Sequence, residues 1–189
     1  NVFMGAKLSR GEVFLVHVVN LMKGYFEQKD YNNTIAYAEK VLATAKIDNR
    51  IKSDAQIMIA RSAIKTNNEE RAKAAYANVL PIATGELAAE ALYYDAYFKN
   101  KEQDFEGSNV AVQKLAKDFS AYKEWGGKGL ILMAKNFDAL GDAYQATYIL
   151  DSVIANFSQY PAVVSEAKTE AFRIKSKEAQ SNSSVNPEN

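Results

Sequence analysis

Residues 130–150 read LILMAKNFDALGDAYQATYIL. Leu130, Met133, Ala134 and Phe137 recur at the intervals of three and four that place side chains on one face of a helix. Leu140-Gly141-Asp142-Ala143 then interrupts the pattern, and Ala146 and Leu150 resume it. One amphipathic helix ends, a short polar turn follows, and a second helix begins.

The same kind of turn occurs at Gln28-Lys29-Asp30-Tyr31, Thr66-Asn67-Asn68-Glu69 and Glu102-Gln103-Asp104-Phe105. Aligning Asp30, Asn68, Asp104 and Asp142 gives spacings of 38, 36 and 38 residues, a period that marks two-helix units stacked into a solenoid. Apolar helical spacing flanks each turn: Val16, Val19, Met22 and Tyr25 precede the first, and Ile35, Ala38, Val41 and Leu42 follow it. Ser9 with Glu12 fits a capping box that opens the first helix. Pro81 stops the fourth helix and Pro161 suits the first turn of a ninth. Two or three turn residues cannot carry the chain back along a helix of about 20 Å, so the partners in each pair are antiparallel neighbours. Between Phe98 and Phe105 one or two extra residues are expected, which would enlarge the third turn.

These boundaries divide the chain into a lead-in at 1–10, a helical repeat domain at 11–180 and a polar, disordered tail at 181–189. Within the domain the pairs fall at about 11–46, 47–84, 85–120 and 121–158, with a closing helix at 161–180 whose apolar side is Val163, Val164, Ala167, Ala171 and Ile174.

Composition agrees. Of 189 residues, 48% are apolar and 24% charged, and three prolines and nine glycines leave few helix breakers. Net charge is zero, but residues 1–84 hold 12 Lys+Arg against 8 Asp+Glu, and residues 85–189 hold 11 against 15. A neutral chain lacks the basic field that collects nucleic acid, so no nucleic-acid partner is expected. The polarity suits end-to-end pairing of copies, a homo-oligomer, or a partner of polarised charge, and reads equally as an uneven solvated surface. Absence of cysteine removes disulfides and thiolate chemistry. No apolar run reaches the length of a membrane span, so no membrane insertion is expected. The start at Asn1 suggests a processed or excised piece.

At these residues the chain resembles the tetratricopeptide repeat (TPR) family. The fourth unit carries the family pattern through Leu130, Met133, Ala134, Phe137, Gly141, Ala146 and Leu150. The second keeps Ile59, Ala60, Asn67, Ala72 and Tyr76, and the first is a variant with Leu21, Tyr25, Lys29, Thr34 and Ala38. Asp118-Phe119-Ser120 and Asn156-Phe157-Ser158 look like unit ends from bacterial cell-envelope members, which would place the protein in the periplasm or envelope. The resemblance implies an all-α fold: a right-handed α-α superhelix (solenoid) of four TPR-like hairpins plus a C-terminal capping helix. Ala60, Ala72, Ala134 and Ala146 would let paired helices approach closely.

The resemblance also implies a concave groove lined by the first helices, which would hold a protein or peptide partner. The groove-facing positions fall on Asn20, Lys23, Arg61, Lys128 and Lys135, a mildly basic track suited to carboxylates. The alternative is a solvated face of long side chains. Val19 occupies one place of the clamp used by chaperone-binding members, so chaperone tails are not the expected ligand. Tyr93 and Tyr97, with Tyr94 and Phe98, form the densest aromatic group and read either as interface anchors or as core. Trp125 reads equally as a surface anchor or a packed residue.

His17 is the single histidine and cannot make a metal site alone; it reads as an interior or groove residue. Glu69-Glu70 and Glu86 with Glu90 sit in first turns, where the helix dipole accounts for them. Gly126-Gly127-Lys128-Gly129 lacks phosphate-loop spacing and a preceding strand and reads as a local helix irregularity. No catalytic residue, metal or cofactor is expected. The functional expectation is a non-catalytic interaction scaffold, with a structural spacer or self-association segment of a longer solenoid as the alternative.

Overall fold

The computed structural model describes residues 7–185, with side chains through residue 182. The described residues form nine α-helices and no strand: α1 (Arg10–Glu27), α2 (Tyr31–Leu42), α3 (Asn49–Lys65), α4 (Glu69–Val79), α5 (Gly85–Lys101), α6 (Phe105–Asp118), α7 (Lys123–Ala139), α8 (Ala143–Asn156) and α9 (Pro161–Val185). Two compact units result, 1–88 and 89–189, with the division inside α5.

One turn design joins α1 to α2, α3 to α4, α5 to α6 and α7 to α8. At the first, Lys29 adopts φ +60°, the Asp30 N–H donates to the Tyr25 carbonyl (2.9 Å), and the Lys29 N–H donates to the Phe26 carbonyl (3.0 Å). Those two bonds close a Schellman motif and satisfy carbonyls that the helix end would otherwise leave open. Asp30 then starts the next helix, its carboxylate accepting from the Asn33 N–H at 3.1 Å. Asn67–Asn68, Gln103–Asp104 and Gly141–Asp142 repeat this at their own turns, with positive φ at the first residue and a side-chain cap at the second. A single residue thus ends one helix and caps the next, which is why Asp or Asn recurs there.

The third turn is not enlarged. Glu102, Gln103 and Asp104 fill it as three residues fill each of the others. Since α3, α5 and α7 all have 17 residues, the variation in period falls on the second helix and the connection after it. The 36-residue interval is short because α4 has 11 residues and only Leu80 to Thr84 lie before α5. The Ser9–Glu12 capping box is present in both directions, and Pro161 opens α9 as expected.

In the first unit α1 packs on α2 and α3 on α4, and the buried apolar residues there include Val18, Met22, Ala38, Val41, Ile57, Ala60, Ala63, Ala72, Tyr76 and Val79. Full burial of Ala38, Ala60 and Ala72 agrees with close helix approach at small residues.

In the second unit one core joins α7, α8 and α9 through Ile131, Ala134, Ala146, Leu150, Val163, Ala167 and Ile174. Another joins α5, α6 and α7 through Ala89, Leu92, Ala96, Val112, Leu115 and Leu132. The glycine run is no irregularity, because α7 passes through it unbroken. A methyl group at Gly127 would sit 2.8 Å from Val163 Cγ1 and 2.9 Å from Phe157 Cδ1, and one at Gly129 would sit 3.1 Å from Leu115 Cδ2. The glycines are contact points at which α7 meets the α8–α9 connection and α9 on one side and α6 on the other. Between α5, α6 and α7 runs a buried polar network: Asn136 donates to Ser108 Oγ (2.9 Å) and Asn109 Oδ1 (2.7 Å), accepts from Asn100 Nδ2 (2.7 Å), and Ser108 donates to the Ala96 carbonyl (2.8 Å). None of the fully buried side-chain polar atoms of this network lacks a partner, as burial requires.

The last helix is longer than its apolar pattern implied. It runs on through Ser181 to Val185, where a disordered tail was expected, and 186–189 lie outside the described residues, as does most of the lead-in. Its buried apolar stripe ends at Ile174.

Candidate partner-binding surfaces

In the second unit four of the seven expected site residues come together with Trp125 on the odd-numbered helices. Tyr93 and Tyr97 of α5 lie 6.5 Å apart by ring centroids, and Tyr93 stands 5.5 Å from Trp125 of α7. Tyr94 closes the group, 5.1 Å from Tyr93 and 6.3 Å from Trp125. These four rings are half-buried, whereas Phe98 is buried, so the aromatic group divides between surface and core. Trp125 is a packed residue with an accessible face, and Lys128 Nζ covers that face at 4.4 Å from the ring centroid. Burial, followed by the neighbouring Tyr94, Glu166 and Tyr97, pushes the Tyr93 phenol well above its ordinary value. It remains a neutral hydroxyl through the physiological range.

The lysines of this surface are already paired. Lys128 bridges to Glu124 at 3.0 Å, and Lys135 to Glu166 at 2.9 Å and Glu170 at 3.9 Å. From Glu170 the ladder continues to Arg173 (2.8 Å), from Arg173 to Asp138 (2.9 Å), and from Asp138 to Lys177 (3.3 Å). Burial works to raise the Asp138 carboxyl, but hydrogen bonds and charge from Arg173 and Lys177 outweigh it and hold the group below the usual carboxylate range. Every pair but Glu170–Lys135 has at least one exposed member, so each contributes little. Together they fix the register of α9 on α7. Glu166 was not singled out from the sequence as the partner of Lys135, since only the packing of α9 beside α7 joins them.

In the first unit Asn20 and Lys23 line a cleft of about 240 Å³ between α1 and α3. Its apolar lining is Leu15, Val16, Val19, Met22 and Ile51, and Arg50 and Asp54 share its polar rim. Lys23 and Arg50 form no ion pair among the described residues. Arg61 is half-buried and partnered, and it does not line this cleft. His17 is exposed, so it is not an interior residue, even though Val18 beside it is buried. Arg50, Ile51 and Asp54 were not singled out from the sequence; they stand in the first turns of α3, which pattern reading treats as helix start alone.

Among the described residues no helix is long and apolar enough to cross a membrane, and no group of three His, Asp or Glu side chains stands ready for a metal ion. No family model matches the chain, and no curated protein matches it significantly.

Proposed function

We propose that this chain is a non-catalytic interaction scaffold, a TPR-like solenoid whose odd-numbered helices hold a peptide or protein segment. The observation that carries the reading is the surface of α5, α7 and α9, where Tyr93, Tyr97, Trp125, Lys128, Lys135 and Glu166 form adjoining aromatic and charged patches. Half-buried tyrosine and tryptophan offer large contact area at small entropic cost, and their hydroxyl and indole groups find partners in a peptide backbone. The repeated Schellman-and-cap turn supports the reading in a second way, because one linker geometry used four times suits units that stack alike.

Random twelve-residue peptides displayed on phage and selected against the chain test this. Selected sequences should bind saturably at micromolar concentration and lose at least tenfold in affinity with Trp125→Ala or with Lys23→Glu. Failure of any selected peptide to bind saturably in solution at about 1 mM overturns the proposal.

A further inference from the structure

On the odd-numbered helices the cations differ in one respect. Lys128 and Lys135 of the second unit already face Glu124, Glu166 and Glu170, so an incoming anion would have to displace a carboxylate. Lys23 and Arg50 of the first unit have no such partner among the described residues, and they share the rim of an apolar-lined cleft. The chain around them also has a surplus of positive charge, 12 Lys+Arg against 8 Asp+Glu over residues 1–84.

The helix that forms one wall is apolar on more sides than packing requires. Val18 and Met22 are buried, Leu15, Val16 and Val19 line the cleft, and Val13, Phe14 and Val16 remain 54%, 54% and 51% exposed. A helix apolar nearly all round is normally covered on most of its faces. Two cations with no ion-pair partner among the described residues, beside an apolar recess, match a ligand that offers both a hydrophobic anchor and negative charge.

From this we infer that the α1–α3 cleft is a subsite for a bulky apolar side chain carried next to a carboxylate in an acidic peptide segment. The inference rests on the proposed scaffold function and names the ligand chemistry of one part of it. The apolar side chain enters between Val19 and Ile51, and the carboxylate takes charge-assisted hydrogen bonds from Lys23 and Arg50. Asp54 on the same rim accepts a peptide N–H and keeps the cleft from favouring carboxylates packed on every side.

Fluorescein-labelled, amidated peptides with one Phe between two Glu on each side are the test probe. Companion probes replace every Glu by Lys, replace Phe by Ser, or end in Phe with a free carboxylate. Anisotropy titrations should show the acidic Phe probe binding at least tenfold more tightly than the Lys or Ser probes. That binding should fall at least tenfold in Lys23→Glu with Arg50→Glu, and stay unchanged in Lys114→Glu on α6. Equal affinity of the free-terminus and amidated probes assigns the anion to side chains, and a preference for the free end assigns it to the terminus; both agree with the inference. Equal binding of the Lys probe, indifference to the double reversal, or no binding of either acidic probe at about 1 mM overturns it. Display-selected peptides that bind and respond to Trp125→Ala alone would leave the scaffold reading standing while removing this one.

Discussion

Gly127 of α7 lies so close to Val163 of α9 that an added methyl group would stand 2.8 Å from the valine Cγ1. Phe157 Cδ1 closes the same contact at 2.9 Å, so the methyl group would press on two side chains at once. Gly127→Ala should therefore destabilise the second unit by about 1–3 kcal/mol through overpacking, less the fraction of a kcal/mol that alanine returns as helix propensity. Gly126, one residue away, has nothing within 4 Å of the equivalent position, and Gly126→Ala should stabilise by roughly 0.5–1 kcal/mol. Urea unfolding of the two variants checks the opposite signs.

Three of the four repeat turns place a residue other than glycine in the left-handed region, at Lys29, Asn67 and Gln103, while the fourth uses Gly141 at φ +88°. Left-handed backbone costs an ordinary side chain about 1 kcal/mol, and asparagine tolerates it best. Lys29→Gly and Gln103→Gly should each raise stability by about 0.5–1 kcal/mol, with a smaller effect at Asn67. Gly141→Val should lower it, and thermal melts of the single variants give the ranking.

Asn136 is fully buried and holds Asn100, Ser108 and Asn109 together. Asn136→Leu would leave buried donors and acceptors on α5 and α6 without partners, at a cost of roughly 2–4 kcal/mol. Loss of slow amide exchange in α5 and α6, measured by hydrogen exchange, should accompany it.

Asp138 supplies a pH dependence. Its folded carboxyl titrates below its unfolded value, so the unfolded chain takes up a proton first as pH falls. The stability it contributes is present above about pH 4 and is lost as pH drops through the folded value. Asp138→Asn should have a shallower decline in melting temperature between pH 5 and pH 3 than the parent chain, at low salt.

How much of this was legible follows from what each feature depends on. The helices and their turns depend on residues a few positions apart, and Asp30, Asn68, Asp104 and Asp142 announce them. The third turn was expected to be enlarged between Phe98 and Phe105, whereas its register is set by Asp104 and the left-handed Gln103. Gly127 looked like a weak point because its reason, Val163, is brought beside it only by packing. The same holds for the surface. Lys128 and Lys135 were found from the repeat pattern, but their neutralisation by Glu124, Glu166 and Glu170 appears only once side chains are placed. Ser181 to Val185 were expected to be disordered from composition, and the helical backbone of α9 continues through that segment.

The most direct measurement is hydrogen exchange by mass spectrometry on the chain with and without a display-selected peptide at saturation. The scaffold account predicts that added protection falls on the odd-numbered helices, at α1 and α3 or at α5, α7 and α9. Protection confined to α2, α4, α6 and α8, or none under saturating peptide, would contradict it.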